Sequence, residues 1–372
     1  MSRVVDNFLK LVQIDAPSKQ EKPMADELVS QLKALNFEVQ IDDSAKDSGS
    51  NTGNIVAKLK GTGAGKIVLS AHMDAVDPCI GIKPVIGEDG VIRSSGDTIL
   101  SSDDRSGVAS IIEAVSRIQE QSEKAYPTVI ITFTVQEEVG LVGAKYLDES
   151  IFANSPLTIV ADGDGDPGTI CIGAPYHYTF KTKFTGKASH AGVEPEKGIS
   201  AIVVASRAIS AIEWGRLDHE TSSNLGLIKG GRADNIVAEE LELTGECRSL
   251  DKQKVEKAKI DIQESFERAA LEAGAKIEID WDLEYDGYKY AEDDENVLLL
   301  KKAAQSVGLT PRLEYSGGGS DANIIAGKGG KSVVLGTGMT NFHSVDECIK
   351  VEHLEQTADF IEAIIYQVAQ EG

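Results

Sequence analysis

Short apolar runs and longer amphipathic stretches alternate through the first half of the chain. Asn54–Lys60, Ile67–Ser70, Val129–Val135 and Leu157–Ala161 are rich in apolar and β-branched residues and read as buried strands. Asp6–Gln13, Lys22–Leu35 and the series Val108, Ile111, Ile112, Val115, Ile118 carry the apolar spacing of helices. Strand and helix in alternation predict an α/β half with a mostly parallel mixed sheet flanked by helices. Near Tyr176 the texture changes. Tyr178–Gly186, Glu240–Arg248 and Lys276–Leu283 alternate like half-exposed strands, and helical patterns fill Gly198–Ile212 and Lys252–Ala273. From about Ala291 the first texture returns: a helix over Asn296–Ser306, a glycine-rich loop, a strand over Ser332–Leu335 and a last helix from Val351. The pattern predicts residues 1–176 and 291–372 as the two parts of one α/β domain. A ferredoxin-like α+β domain over 177–290 interrupts it.

Composition adds limits. A chain of 372 residues is longer than one core usually takes, and 41% hydrophobic content is enough for two. The net charge of −23 argues against nucleic acid or an anionic membrane surface as partner. No run approaches the roughly 20 apolar residues of a membrane-spanning helix. The first residues lack the continuous apolar region of a signal peptide. Cys79, Cys171, Cys247 and Cys348 are scattered without a CxxC pair. That usage fits reduced thiols and a cytoplasmic location.

Five places at predicted strand ends carry candidate chemistry. His72 and Asp74 follow Ile67–Ser70, and a carboxylate or carbonyl commonly holds the second ring nitrogen of a ligating imidazole. Asp103 and Asp104 precede a helical pattern, where they could equally cap the helix. Glu137 and Glu138 follow Val129–Val135, and such a pair suits one metal ligand and one proton carrier. Asp162 follows Leu157–Ala161, and His343 comes soon after Ser332–Leu335. A parallel sheet would gather these ends on one rim, where ligands collect in open α/β sheets. Nitrogen and oxygen donors without thiolates suit Zn, Mn or Co. Two look-alikes fail. The glycine loop at 61–65 lacks phosphate-loop spacing and has no helix after it. The Asp162-Gly-Asp-Gly-Asp run has Pro167 and Gly173 where a calcium loop needs Gly and Glu.

The ordered segments HMDAVD, SSDDRSG, QEEVG, ADGDG and HS resemble the M20 metallopeptidases over nearly the whole chain. GKASHAGVEPEKGISAI resembles that family's second domain. GIKP, DDR and the Asp at 162 look most like the peptidase T, or tripeptide aminopeptidase, branch. There are departures. That branch usually has Lys where this chain has Arg105, and Gly-Ala where it has Ser101-Ser102. The resemblance implies two divalent ions per chain, with Zn first and Co or Mn as alternatives. It implies that Asp103 bridges them, that His72 and Asp162 complete one site, and that Glu138 and His343 complete the other. Glu137 would be the general base toward a metal-bridged water, Asp74 would orient His72, and Asp104 would be a neighbour. His190 would stabilise the oxyanion across a homodimer interface made by the insert, which would serve as lid and dimerisation domain.

Within the insert, Arg248 ends a strand. It could pair bidentately with a substrate carboxylate, as a similarly placed family Arg does, or be a surface charge. Asn235 matches a substrate-contacting family Asn. The loop around Gly318 could approach substrate through its backbone or be a tight turn capped by Ser320. The functional expectation is a dinuclear hydrolase of short peptides, an aminopeptidase on di- and tripeptides. An acyl-amino-acid amidohydrolase or carboxypeptidase of the same family is one alternative, and a non-catalytic metal-binding homologue another.

Overall fold

Four strands run parallel at the centre of the first of two units: Thr128–Thr134, Lys66–His72, Thr158–Gly163 and Ser332–Gly336, side by side in that order. These are features of a computed structural model of the chain that describes residues 1–121 and 123–371. Nearly every residue of these strands is buried. Both faces are covered, so the sequence reads as continuous apolar runs and not as an alternation. Ile55–Leu59 and then Glu38–Ile41 extend one side in antiparallel pairing. Thr169–Ala174 extends the other side antiparallel to Ser332–Gly336, with Arg312–Tyr315 parallel beside it. The sheet is therefore mixed, with a parallel centre.

The helix Ser102–Glu120 packs on Lys66–His72 and Thr158–Gly163, and against helices Arg3–Leu11 and Val351–Glu371. Its residues Val108, Ile111, Ile112, Val115 and Ile118 are buried. Each such side chain contributes about 1.5–3 kcal/mol on leaving water. The close approach depends on Gly107, where a Cβ would lie 1.9 Å from the Ala161 carbonyl oxygen. The glycine of SSDDRSG thus sets how near this helix comes to the strand that carries Asp162.

A smaller four-stranded sheet in the same unit was not legible in the sequence. It orders Met339–Thr340, Cys348–Lys350, Val91–Ser94 and Pro84–Ile86, and His343 lies in the connection between the first two. The unit comprises Met1–Gly173 with Lys289–Gly372. Among the described residues no helix is long and apolar enough to cross a membrane.

The second unit, Ala174–Tyr288, is a five-stranded antiparallel sheet in the order Gly215–Arg216, Thr221–Gly230, Glu240–Ser249, Tyr176–Thr185, Lys276–Tyr285. Helices Ala201–Ser210 and Lys252–Ala273 enclose its core, which includes Phe180, Phe184, Leu243, Ile262 and Phe266. Asp251 caps the longer helix by accepting from the Gln253 and Lys254 amides, and Gly274 ends it in the left-handed conformation. The strand Thr221–Gly230 escaped the periodicity reading. A bulge between Leu225 and Leu227 shifts its register, so the apolar positions lose their period of two.

Candidate metal centre

The parallel register explains why distant segments meet. Ser70 pairs with Val160 and His72 with Thr134, so His72 and Asp162, each two residues further on, end adjacent strands at one level. His72 is the last residue of its strand and not the residue after it. Asp162 likewise lies inside Thr158–Gly163, because that strand continues beyond the apolar run.

Asp103 occupies the centre of the cluster. Its Oδ1 is 2.9 Å from His72 Nε2 and its Oδ2 is 3.1 Å from His343 Nε2. Asp162 Oδ1 is 3.6 Å from His72 Nε2, and Glu138 Oε2 is 2.9 Å from His343 Nε2. Donor atoms of His72, Asp103 and Glu138 lie within 4.8 Å of one another, as do those of His72, Asp104 and Asp162. Asp104 is committed elsewhere. One of its oxygens accepts from the His72 amide at 3.1 Å and the other from the Gly107 amide at 3.1 Å. We therefore read Asp104 as a brace and Asp103 as the carboxylate with both oxygens directed at the cluster. Asp104 also caps the helical part of this segment: its backbone is non-helical and its carboxylate accepts from the amide three residues on, whereas the oxygens of Asp103 face the histidines.

Asp74 holds three pieces together. Its carbonyl oxygen is 3.1 Å from His72 Nδ1 and its Oδ1 is 3.3 Å from the same nitrogen. This places the ring proton on Nδ1 and frees the Nε2 lone pair. Asp74 Oδ1 also accepts from the Glu137 amide at 3.0 Å, and Oδ2 from the Glu138 amide at 3.3 Å. Ser18 donates to Oδ2 at 2.7 Å, and the buried Arg105 donates to the Asp74 carbonyl at 3.0 Å. Behind the Glu pair, the fully buried Glu21 accepts from the Gln136 amide at 3.1 Å. Ser101, Gln136 and His343, one at each ligand-bearing loop, have φ of 61°, 54° and 59°. Left-handed non-glycine residues cost about 1–3 kcal/mol each and gather where a site demands them.

The electrostatics are those of a crowded anionic pocket. Burial raises Asp104, Asp162 and Glu137 well above the ordinary carboxylate range, and neighbouring carboxylates add to it. Burial also raises Glu138, against the pull of His343. Asp321, likewise buried, is pushed up to about 6. Burial opposes the charged form of His72, but Asp103, Asp162 and Asp74 outweigh it and raise the imidazole well above its usual value. Hydrogen bonds to the Asp103 and Glu138 carboxylates lift His343 to about 10. Asp103 goes the other way: burial is outweighed by the two histidines, and it stays ionised. Such a cluster is neutralised either by protons or by cations. The donor set suits cations: two imidazoles and three carboxylates without thiolate, one of them Glu138, whose buried Oε1 has no hydrogen-bond partner among the described residues.

The remaining expected residues lie in other segments of the chain. The loop around Gly318 closes on itself, with the Gly318 amide donating to Ser316 Oγ at 3.0 Å. Ser320 forms a capping box with Asn323 on helix Asp321–Gly327. In the second unit, the segments of His190 and Asn235 are joined by the Ala191 amide donating to the Asn235 carbonyl at 3.0 Å, and both side chains are exposed. The Gly192 amide donates to His190 Nδ1 at 3.1 Å, which puts the proton of the neutral ring on Nε2. The Arg248 guanidinium is engaged by Glu246 at 2.9 and 3.2 Å and by the Tyr285 hydroxyl at 3.3 Å. Ser18, Glu21, Arg105 and Glu347 were missed as site-building residues. Ser18 and Glu21 lie 56 and 115 residues from the segments they brace and carry no signal in the sequence, and Arg105 and Glu347 had only their closeness to Asp103 and His343.

Known proteins resemble this chain over nearly its whole length. The profile of the peptidase family M20/M25/M40 matches residues 68–367. An aminopeptidase PepT from Bacillus cereus ATCC 10987 has 40% identity and a TM-score of 0.94, over 99% of this chain and 98% of that one. A tripeptidase from Staphylococcus aureus subsp. aureus Mu50 has 35% identity and a TM-score of 0.94, over the same shares. The uncharacterised protein YqjE of Bacillus subtilis is 40% identical over 99% of both chains.

Proposed function

The chain belongs to the peptidase family M20/M25/M40 and is a metal-dependent hydrolase of peptide bonds, and from that premise we propose that it is an aminopeptidase on di- and tripeptides that works with two divalent ions. The observation that carries the dinuclear reading is Asp103, whose two oxygens face His72 on one side and His343 on the other. His72, Asp103 and Asp162 would hold one ion, and Asp103, Glu138 and His343 the other. Zinc suits the donors best, with cobalt or manganese as working substitutes. The chemistry the ions supply when bound is activation of water and polarisation of the scissile carbonyl.

The chain's own residues do the rest. Glu137 accepts the proton of the attacking water and delivers it to the leaving amine. Asp74 keeps His72 in the tautomer that leaves Nε2 free and fixes the Glu137 and Glu138 amides. The second unit forms a homodimer contact, and His190 acts as an Nε2–H donor to the oxyanion in the partner's site. The motive for the contact is the strand Thr221–Gly230. Only its Ser222 and Ser223 pair with the short outer strand, while Leu227 and Ile228 are 71% and 62% exposed. A long apolar strand edge is a template for pairing with another chain. Arg248 and Asn235 are substrate contacts, with Arg248 exchanging Glu246 for a peptide carboxylate. The reduced, scattered cysteines fit a cytoplasmic enzyme.

A substrate screen tests this reading. Free tripeptides, N-acyl amino acids and N-blocked peptides are each offered with Zn, Co or Mn. Release of the N-terminal residue from free tripeptides, with N-blocked substrates resistant, is the expected result. Cleavage confined to N-acyl or N-blocked substrates would place the chain with the acylases or carboxypeptidases. No turnover on any of them would favour a non-catalytic role.

A further inference from the structure

Glu347 lies four residues beyond His343 in the same connection, and its side chain is almost wholly buried. Its carboxylate accepts four hydrogen bonds from the segment that presents Asp103. Oε2 takes the Leu100 amide at 2.8 Å and the Ser101 amide at 2.6 Å, while Oε1 takes the Ser102 hydroxyl at 2.7 Å and the Asp103 amide at 3.0 Å. A carboxylate offers about four acceptor sites, so this one is saturated. The segment it grips cannot hold itself. Ser101 is left-handed, and Asp103 and Asp104 are non-helical, so the amides here lack partners within the helix. His343 is also weakly anchored: it is left-handed and 49% exposed, and its ring contacts in the cluster are to Asp103 and Glu138.

We infer that Glu347 is a positioning residue that locks the His343 connection to the Asp103 segment, and so sets the affinity of the ion held between Asp103, Glu138 and His343. The inference rests on the dinuclear reading above. Ser102 contributes one of the four bonds through its hydroxyl, a donor that its replacement by Ala removes.

Ion-free protein is titrated with Co²⁺, followed by calorimetry and by the cobalt d–d absorption. Wild type, Glu347→Gln, Ser102→Ala and His343→Ala are compared. Glu113→Gln is the control, since Glu113 pairs with Arg3 and Arg117 further along the same helix, away from the cluster. In Glu347→Gln the amide turns N–H groups toward backbone donors. The ion that His343→Ala loses is expected to weaken by about 10–100-fold, the usual cost of removing a ligand's support. The other ion, which shares Asp103 but not His343, weakens by clearly less, and saturating Co²⁺ restores most of kcat with KM little changed. Ser102→Ala weakens the same ion severalfold, and Glu113→Gln weakens neither. If Glu347→Gln does not fold, Ser102→Ala alone decides. Two ions held as in wild type by Glu347→Gln, or by Ser102→Ala where it decides alone, would overturn the inference and leave the dinuclear reading intact. Equal weakening of both ions would also overturn it, because the effect would then be general loosening. A wild-type chain that takes only one ion would overturn the dinuclear reading and this inference with it.

Discussion

Replacing Glu137 by Gln separates proton transfer from everything else the site does. The change keeps the shape of the side chain and removes its ability to accept a proton. The backbone tie to Asp74 is untouched, since it uses the Glu137 amide at 3.0 Å. Among the described residues no hydrogen bond holds the Glu137 carboxylate, so little packing is lost. Its charge is also unwelcome in the ion-free fold: burial raises its pKa, and Asp321, Glu138 and Asp103 add to that. The ion-free variant should therefore melt at or slightly above the wild-type temperature. A positioned general base contributes about 10²–10⁴-fold, which is roughly 2.7–5.4 kcal/mol of barrier at 1.36 kcal/mol per tenfold. The expected loss in kcat on a free tripeptide is of that size, with KM and ion content near wild type. The assay is steady-state hydrolysis at saturating ion, with elemental analysis and thermal melting on the same sample. Wild-type kcat in Glu137→Gln, or loss of an ion from it while Glu138→Gln keeps both, would refute the assignment of the pair.

Further expectations follow from the same contacts. Asp103→Asn should weaken both ions, by more than the about 10–100-fold that a supporting residue costs, as read by Co²⁺ titration; loss of one ion alone would argue against a shared carboxylate. The ion-free chain should lose stability from about pH 5 to pH 8. The carboxyls of Asp104, Asp162, Glu137 and Glu138 are raised, so the folded state holds protons that the unfolded state has released. The raised His72 and His343 stabilise fully below about 6.5 and lose that contribution as pH climbs toward their folded values. Asp74 and Asp103, which are lowered, remain ionised across this window and do not reverse the sign. Melting curves should therefore fall with pH without ions, and added divalent ion should raise them more at pH 8 than at pH 5.5; a melting temperature rising over that range would contradict the sign. Leu227→Lys with Ile228→Lys should convert a dimer to a monomer in analytical ultracentrifugation. Folding stability should change by only about 0.5 kcal/mol, because both side chains are exposed.

The candidate ligands and the strands carrying them were readable because apolar runs announce a buried sheet, and His, Asp and Glu at their ends break the pattern abruptly. The contacts behind those ligands were not. Glu21 and Glu347 act through backbone amides of segments 115 and 244 residues away, and backbone donors leave no mark in sequence. By residue type and position alone Asp104 is a twin of Asp103, and only the family resemblance set it apart as a neighbour. In the structure the Gly107 and His72 amides mark Asp104 as a brace, while Asp103 faces two imidazoles. The small sheet that carries His343 has strands of two to four residues, too short for periodicity to register. The free edge at Leu227 was hidden by a bulge.

The most direct test of the central claim is anomalous X-ray diffraction at the zinc edge from crystals of the reconstituted chain. Two peaks are predicted, one beside His72 and Asp162 and one beside Glu138 and His343, with Asp103 touching both. A single peak, or a pair that Asp103 does not join, in crystals whose dissolved protein is fully active, would contradict the account.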